Sequence, residues 1–359
     1  MGGDPSDRGR VEARPRVATR PAAGAWPGWP VLGAVAVTGA LLTAAAVLVY
    51  GGGGPRPALP GLPDEGAVTP WVLPALRVLL DGSAVVTVGL LLTAVVLLRP
   101  TGTAEWYRRR AAVAAAAWGL SAVAAAAFTA SDILGRPLGE IGDPGLLLRL
   151  AQSRSLLVEA ALAGAVAAGA AWLRGRGGVP LLVLAVVAVL PPAFTGHAAG
   201  AGDHGTAVSS LLFHLAGVTV WLGGLVGLLT YATRRTGAPG ALPRGTSATA
   251  QREVLSGAAR RFSRLALVSW VVVGASGVVN AWVRLDSPAD LVDTAYGRVV
   301  LGKTLALVSL GVFGRLHRTQ TLRALERGQR GAFVRLATAE VLVMAVTLGL
   351  AVGLSRTPI

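Results

Sequence analysis

Three histidines crowd into a short stretch of this sequence, at positions 197, 204 and 214, with Asp203 beside the second. Imidazole nitrogen suits copper, zinc, iron and nickel, and a carboxylate can complete such a donor set. His197 and His204 flank a Gly-rich segment, 195–205, that could fold both rings toward His214. The spacing contains no tight i, i+4 pair, so the grouping depends on how that segment closes. His317 stands apart, among arginines, and reads as a solvated side chain. The chain has no cysteine, and Met1 and Met344 are its methionines. Thiolate, disulfide and Met-rich soft-metal chemistry are therefore excluded.

The elements that must position these rings are membrane-spanning helices. Hydrophobic residues make up 53% of the 359 and charged residues 14%, against about 25% charged in a soluble domain. The mean hydropathy is +0.60. A soluble protein of that composition could not cover its surface, whereas lipid covers a membrane protein. A span needs about 20 mostly apolar residues. Candidate spans run over 31–50, 71–98, 111–130, 156–173, 179–194, 207–231, 262–283, 299–313 and 333–354, the fifth and eighth being short. The expected fold is thus all-α, a polytopic transmembrane bundle of about nine spans. Residues 1–28 read as a disordered, basic cytoplasmic tail. They are too long a lead for a signal peptide, so the first apolar run is expected to stay as an anchor.

The net charge of +15 would suggest nucleic acid in a soluble chain. Here the arginines fall in short clusters between apolar runs. Arg8, Arg10, Arg14, Arg16 and Arg20 precede the first span. Arg108, Arg109 and Arg110 follow the second, Arg174 and Arg176 the fourth, Arg234, Arg252 and Arg260 the sixth, and Arg318, Arg327 and Arg330 the eighth. The alternate connections carry Asp64, Glu65, Asp132, Glu140, Asp143, Asp203, Asp286, Asp290 and Asp293. Every second connection is basic, which places the N-terminus in the cytoplasm. This is a topology signal and not a nucleic-acid surface.

Ionisable groups inside a membrane are costly and so mark function or specific pairing. Arg77 and Asp81 sit four apart on the second span and can pair. Glu159 lies in the fourth span, His214 in the sixth, Asn280 in the seventh, Lys303 in the eighth and Glu340 in the ninth. The alternation puts Asp81, Glu159, His214, Asn280 and Lys303 in the outer half, with Glu340 in the inner half. Each has a plainer reading: Lys303 snorkels to the outer interface, and Asn280 makes an interhelical hydrogen bond. His214, Gly217, Trp221 and Gly224 share one helix face. The glycines there suit close helix packing, and Trp221 is too deep for an interfacial belt.

The stretches Gly196-His197-Ala198, His204, His214-Leu215 and Val220-Trp221-Leu222-Gly223-Gly224 resemble the copper resistance D (CopD) family of bacterial inner-membrane proteins. Ser276-Gly277-Val278-Val279-Asn280-Ala281-Trp282, then Tyr296-Gly297-Arg298 with Lys303, and Glu340 in a final apolar helix are similar to that family's later helices. The resemblance covers about 150–355 and is weaker before it. It implies 29–150 as N-terminal transmembrane helices and 151–359 as a CopD-like transmembrane domain, with the tail and first span added to an eight-helix core. It also implies copper handling at the plasma membrane, moving the ion inward, often beside a small extracytoplasmic carrier of the CopC type. By motif match the copper ligands would be His197, His204 and His214. Asp81, Glu159, Asp203, Trp221, Asn280, Lys303 and Glu340 would line the path or stand behind the ligands.

The sequence therefore leads to a non-enzymatic copper-binding permease of the bacterial plasma membrane, with copper, lipid and possible CopC-type carriers as partners. No Walker motif is present, so transport is not directly ATP-driven. Two alternatives stay open: a copper-binding assembly or sensing protein without transport, and a b-type haem membrane protein.

Overall fold

Residues 29–54, 64–98, 102–173, 177–195, 204–234, 237–285 and 287–357 are described by the computed structural model. The tail 1–28, His197, Asp203 and Asp286 lie outside them. The described residues are helical, with no strand among them. Long helices are α1 (Trp29–Tyr50), α2 (Thr69–Leu92), α3 (Ala104–Leu134), α5 (Ala151–Trp172), α7 (His204–Ala232), α8 (Ala248–Trp282), α10 (Ala295–Leu316) and α12 (Arg330–Leu354). Shorter ones are α4 (Leu146–Arg149), α6 (Gly178–Ala188), α9 (Asp290–Asp293) and α11 (Leu322–Glu326).

The helix ends follow local chemistry. Pro70 opens α2, where its missing N–H costs nothing. Gly135 stops α3 in the left-handed conformation, φ 58°. The Ser247 side chain accepts from the Ala250 N–H at the start of α8, and the Thr294 side chain from the Gly297 N–H at the start of α10. Two helices end in a single π-turn, Thr93–Leu97 after α2 and His317–Thr321 after α10.

Eight helices are long and apolar enough to cross a membrane. The expected fifth span is different: Gly178–Phe194 is a shorter apolar helix, α6 continued by a 3-10 turn at Pro191–Phe194. It still traverses the bundle. Gly178 meets Val95 near the end of the second span, and Ala188 and Val189 pack with Leu73 and Leu156 near the starts of α2 and α5. The expected eighth span was too short, because α10 runs from Ala295 to Leu316.

The contacts fix the direction of each helix. α3 and α5 are antiparallel, Trp118 bonding Glu159 and Arg108 bonding the Ala170 carbonyl. α2 and α7 are parallel: Gly89 faces Gly223 and Thr93 faces Gly227. α8 returns along α7 through Ser210–Ser276 and Gly224–Phe262. α10 returns along α8 through Trp270–Leu307 and Ser263–Arg318, and α12 along α10 through Gly302–Leu350 and His317–Glu340. The arginine-rich connections therefore share one end, here called the basic end. Asp132, Glu140, Asp143, Asp290 and Asp293 lie at the other, acidic end.

Two helix pairs pack backbone to backbone. A Cβ on Gly223 would sit 2.7 Å from the Val85 carbonyl oxygen, and Cβ atoms on Gly89 and Gly227 would collide with the facing helix. Gly349 and Gly353 on α12 let α1 approach in the same way. Packing of this kind, with small residues at the contact, is how helices associate where lipid supplies no hydrophobic drive.

Candidate functional site

The parallel pairing of α2 and α7 sets a common depth. Since Gly89 lies opposite Gly223, Asp81 is level with Leu215, next to His214. Leu215 packs against the cluster that holds Leu80, Trp118 and Leu156. The polar residues of the acidic-end half thus form one layer across the bundle, in two clusters.

The imidazole cluster lies between α7 and α8. His214 Nδ1 is 3.0 Å from Ser276 Oγ. The Ser276 hydroxyl has a single proton and lies 2.7 Å from the Val272 carbonyl and 3.2 Å from the Val273 carbonyl. When that proton goes to a carbonyl, Ser276 Oγ accepts from Nδ1–H of the ring. In that tautomer Nε2 would be the basic nitrogen, the arrangement that orients an imidazole for a metal ion. Ser210 Oγ, one helical turn away on α7, donates to the Ser276 carbonyl at 2.9 Å and fixes the two helices together. A cavity of about 530 Å³ opens between them, lined by Thr206, Ser209, Ser210 and Ser276 together with apolar side chains. Lys303 on α10 lies within electrostatic reach of His214. It is half-buried.

The carboxylate cluster lies between α2, α3 and α5. Glu159 is 1% exposed. Its Oε1 accepts from Trp118 Nε1 at 2.9 Å, while Oε2 is buried without a hydrogen-bond partner. A buried acceptor left without a partner is costly, and a proton or a cation would satisfy it. Asp81 and Arg77 lie within electrostatic reach of Glu159. The expected Arg77–Asp81 pairing takes a looser form: the two groups act on one another electrostatically, but among the described residues they form no direct ion pair.

Of the three expected ligands, His197 lies outside the described residues, while His204 and His214 stand on one helix. His204 is the first residue of α7 and His214 is ten residues along it. At about 1.5 Å per residue the two are about 15 Å apart along the axis. Among the described residues no three His, Cys, Asp or Glu side chains converge on one metal position. Trp221 is buried with its Nε1 unpartnered, two turns deeper than His214. Asn280 sits one turn beyond Ser276 on α8, and among the described residues its side chain makes no hydrogen bond of the expected interhelical kind.

The basic-end half corrects another expectation. His317 is half-buried and packed, not solvated: its Nε2 is 3.1 Å from Glu340 Oε2, with side-chain exposures of 12% and 3%. The pair is close but not aligned as a hydrogen bond, since both atoms lack one by geometry. His317 Nδ1 is 2.8 Å from Thr321 Oγ1 across the π-turn, and its ring tilts against Phe333. The signal in the sequence was Leu316, Leu322 and Leu325, an apolar run continuing between the arginines. Ser276 and Trp118 were also missed as partners. A serine inside an apolar motif and a lone tryptophan in an alanine-rich helix give no sign of which side chain they will meet.

The family profile described as "Copper resistance protein D-like, N-terminal domain" matches residues 67–207, and that described as "Copper resistance protein D" matches 256–354. α1 lies outside both. The chain is also similar to "Copper transport protein CutJ" of Bacillus subtilis (strain 168), 29% identical over 129 residues. That match covers 36% of this chain and 22% of the relative, so the chain aligns with under a quarter of that protein's length. No solved structure matches. The two profile matches in tandem, on an all-helical bundle with eight helices apolar enough to span a membrane, place the polar layer inside a known framework: the chain belongs to the copper resistance protein D family and is a multi-pass membrane protein.

Proposed function

We propose that the protein binds copper at the acidic end of the bundle and passes it inward across the bacterial plasma membrane. The observation that carries this reading is the His214–Ser276 pair, an imidazole held through Nδ1 by a hydroxyl between two bundle helices, a placement from which Nε2 could take a metal. The family membership and the likeness to a copper transport protein supply the ion. The basic end is cytoplasmic on this reading, so His214 and the Glu159 carboxyl face the outer half.

The helical separation of His204 from His214 turns the three-histidine site into two stations. His197, Asp203 and His204 capture the ion at the mouth, where a separate CopC-type carrier would deliver it. His214 receives it about 15 Å deeper, level with Asp81 and Glu159. Glu340 is the acceptor in the inner half, held by His317 until an ion competes for it. The donors are nitrogen and oxygen throughout, which favours Cu(II) over a soft Cu(I) path. A bis-histidine haem would need a second imidazole at the depth of His214, and His317 lies in the opposite half.

The test is copper accumulation in cells that produce the protein or its His214→Ala variant, with metal content of the purified proteins measured in parallel. The expected result is raised accumulation that His214→Ala abolishes. Equal accumulation with copper still bound by the purified protein would reject transport and leave a copper-binding assembly or sensing role.

A further inference from the structure

The basic end holds a second cavity, of about 470 Å³, far from the polar layer. It lies where the C-terminus of α7, the first turns of α8 and the turn between α11 and α12 meet. Four guanidinium groups line it, those of Arg234, Arg252, Arg327 and Arg330, with Tyr231 and Gln251 as further polar side chains. Among the described residues no carboxylate lines it. Glu326, next to the lining residue Arg327, is turned away to Arg260, 2.7 Å from its Nη1. Glu253 on α8 is exposed and is not part of the wall.

The backbone adds to the positive field. α8 and α12 both begin at this cavity, and neither has an acidic residue in its first turn. Helix N-termini carry about half a positive charge and present free N–H groups. The arginines are also held together against their mutual repulsion. Arg330 Nη2 donates to the Arg234 carbonyl at 2.6 Å, Arg234 Nη1 donates to the Pro239 carbonyl at 2.6 Å, and the Arg234 guanidinium stacks on the Trp106 ring, 3.6 Å from its centroid. Arg252 Nε donates only within its own helix, to the Ala248 carbonyl at 3.2 Å. Arg234 Nε is buried with no partner. Burial is the largest influence pulling the Arg234 guanidinium below its ordinary value. Each guanidinium has five donors, and these bonds leave most of them unused. A concave site with many spare, forked donors and no acid is complementary to one chemical group, a tetrahedral oxyanion.

We propose that this cavity is a phosphate-binding site, taking either the headgroup phosphate of an anionic phospholipid or a soluble phosphate. Bound there, the anion ties the C-terminus of α7 to the N-termini of α8 and α12. That would couple the two helices of the His214–Ser276 pair to the helix that carries Glu340. The inference does not depend on copper binding or transport.

The experiment compares thermal unfolding of the purified full-length protein in nanodiscs of phosphatidylcholine alone and of phosphatidylcholine mixed with phosphatidylglycerol. Detergent samples titrated with inorganic phosphate, and with chloride as control, form the second arm. The test variant is Arg252→Gln with Arg327→Gln, since neither side chain ties one helix to another. The control is Arg109→Gln with Arg315→Gln, on the same face but outside the cavity. Stabilisation by phosphatidylglycerol but not by inorganic phosphate identifies a lipid headgroup. Stabilisation by inorganic phosphate in detergent identifies a soluble ligand. In either case the test variant should weaken the effect roughly tenfold in ligand concentration, and the control should not. No stabilisation in any arm, or an equal loss in the control, overturns the proposal.

Discussion

His214 and His317 are the same residue in the same kind of place, a helix inside an apolar bundle, yet their rings are held for opposite ends. Around His214 one nitrogen lies 3.0 Å from the Ser276 hydroxyl, which also sits against the Val272 carbonyl. Around His317 both nitrogens have protein neighbours, Thr321 on one side and Glu340 on the other. On the proposed reading the first arrangement serves a ligand, while the second joins the end of α10 to α12. The difference lies in the neighbours of each ring and not in depth alone.

Exchanging the two roles by mutation tests that contrast most severely. His214→Ala should weaken copper binding by roughly 100-fold or more, as expected when a ligand goes and not only its support. It should shift the melting temperature little, because one neutral hydrogen bond is worth about 1 kcal/mol. His317→Ala should do the reverse: copper affinity within about threefold, and a stability loss of about 1–3 kcal/mol, since the Thr321 bond goes and the buried Glu340 carboxyl loses its close imidazole neighbour. Isothermal titration and thermal unfolding on both variants read the two effects. A stability loss in His214→Ala as large as that in His317→Ala would erase the distinction.

A smaller effect sharpens the tautomer argument. Ser276→Ala removes the group that holds the Nδ1 proton and should lower copper affinity by about tenfold. Ser276→Thr keeps the hydroxyl and should retain most of it. Equal loss in both would show that Ser276 acts by packing alone. The smallest effect concerns Lys303, whose ammonium lies within electrostatic reach of His214. A cation arriving at Nε2 meets that charge, so Lys303→Met should tighten copper binding by a few-fold, about fivefold at most for a partly screened charge. Weaker binding in Lys303→Met would instead make the lysine part of the path.

The bundle itself could be read from the sequence, and particular residues show why. The apolar runs and the alternating arginines need no knowledge of neighbours, because lipid and the charge rule act on one segment at a time. The directions expected from Arg234, Arg252 and Arg318 agree with the contacts of α7, α8 and α10, which gather those residues at one end. The fifth segment was the limiting case. It is too short to satisfy the length rule, and only the packing of Gly178 and Val189 at opposite depths shows it crossing.

The candidate site divides in the same way. Residue type and spacing selected His204, His214, Glu159 and Glu340 as groups that a membrane interior would not hold without cause, and copper came from the family's motifs. Whether two of them can meet depends on where a helix starts and which faces are pressed together. α7 holds both His204 and His214 in one helix, about 15 Å apart along its axis, a fact that no spacing rule contains. The contact of Trp118 with Glu159 joins residues 41 apart in sequence, and that of His214 with Ser276 residues 62 apart. Sequence alone determined the membrane, the helices, their alternation and the donor types, because these depend on each segment's exchange with water and lipid. The tertiary structure decided which hydroxyl meets His214, which carboxyl oxygen of Glu159 is unpartnered and that His317 is packed against Glu340. Those depend on long-range packing, set where Gly89, Gly223 and Gly227 let α2 and α7 touch.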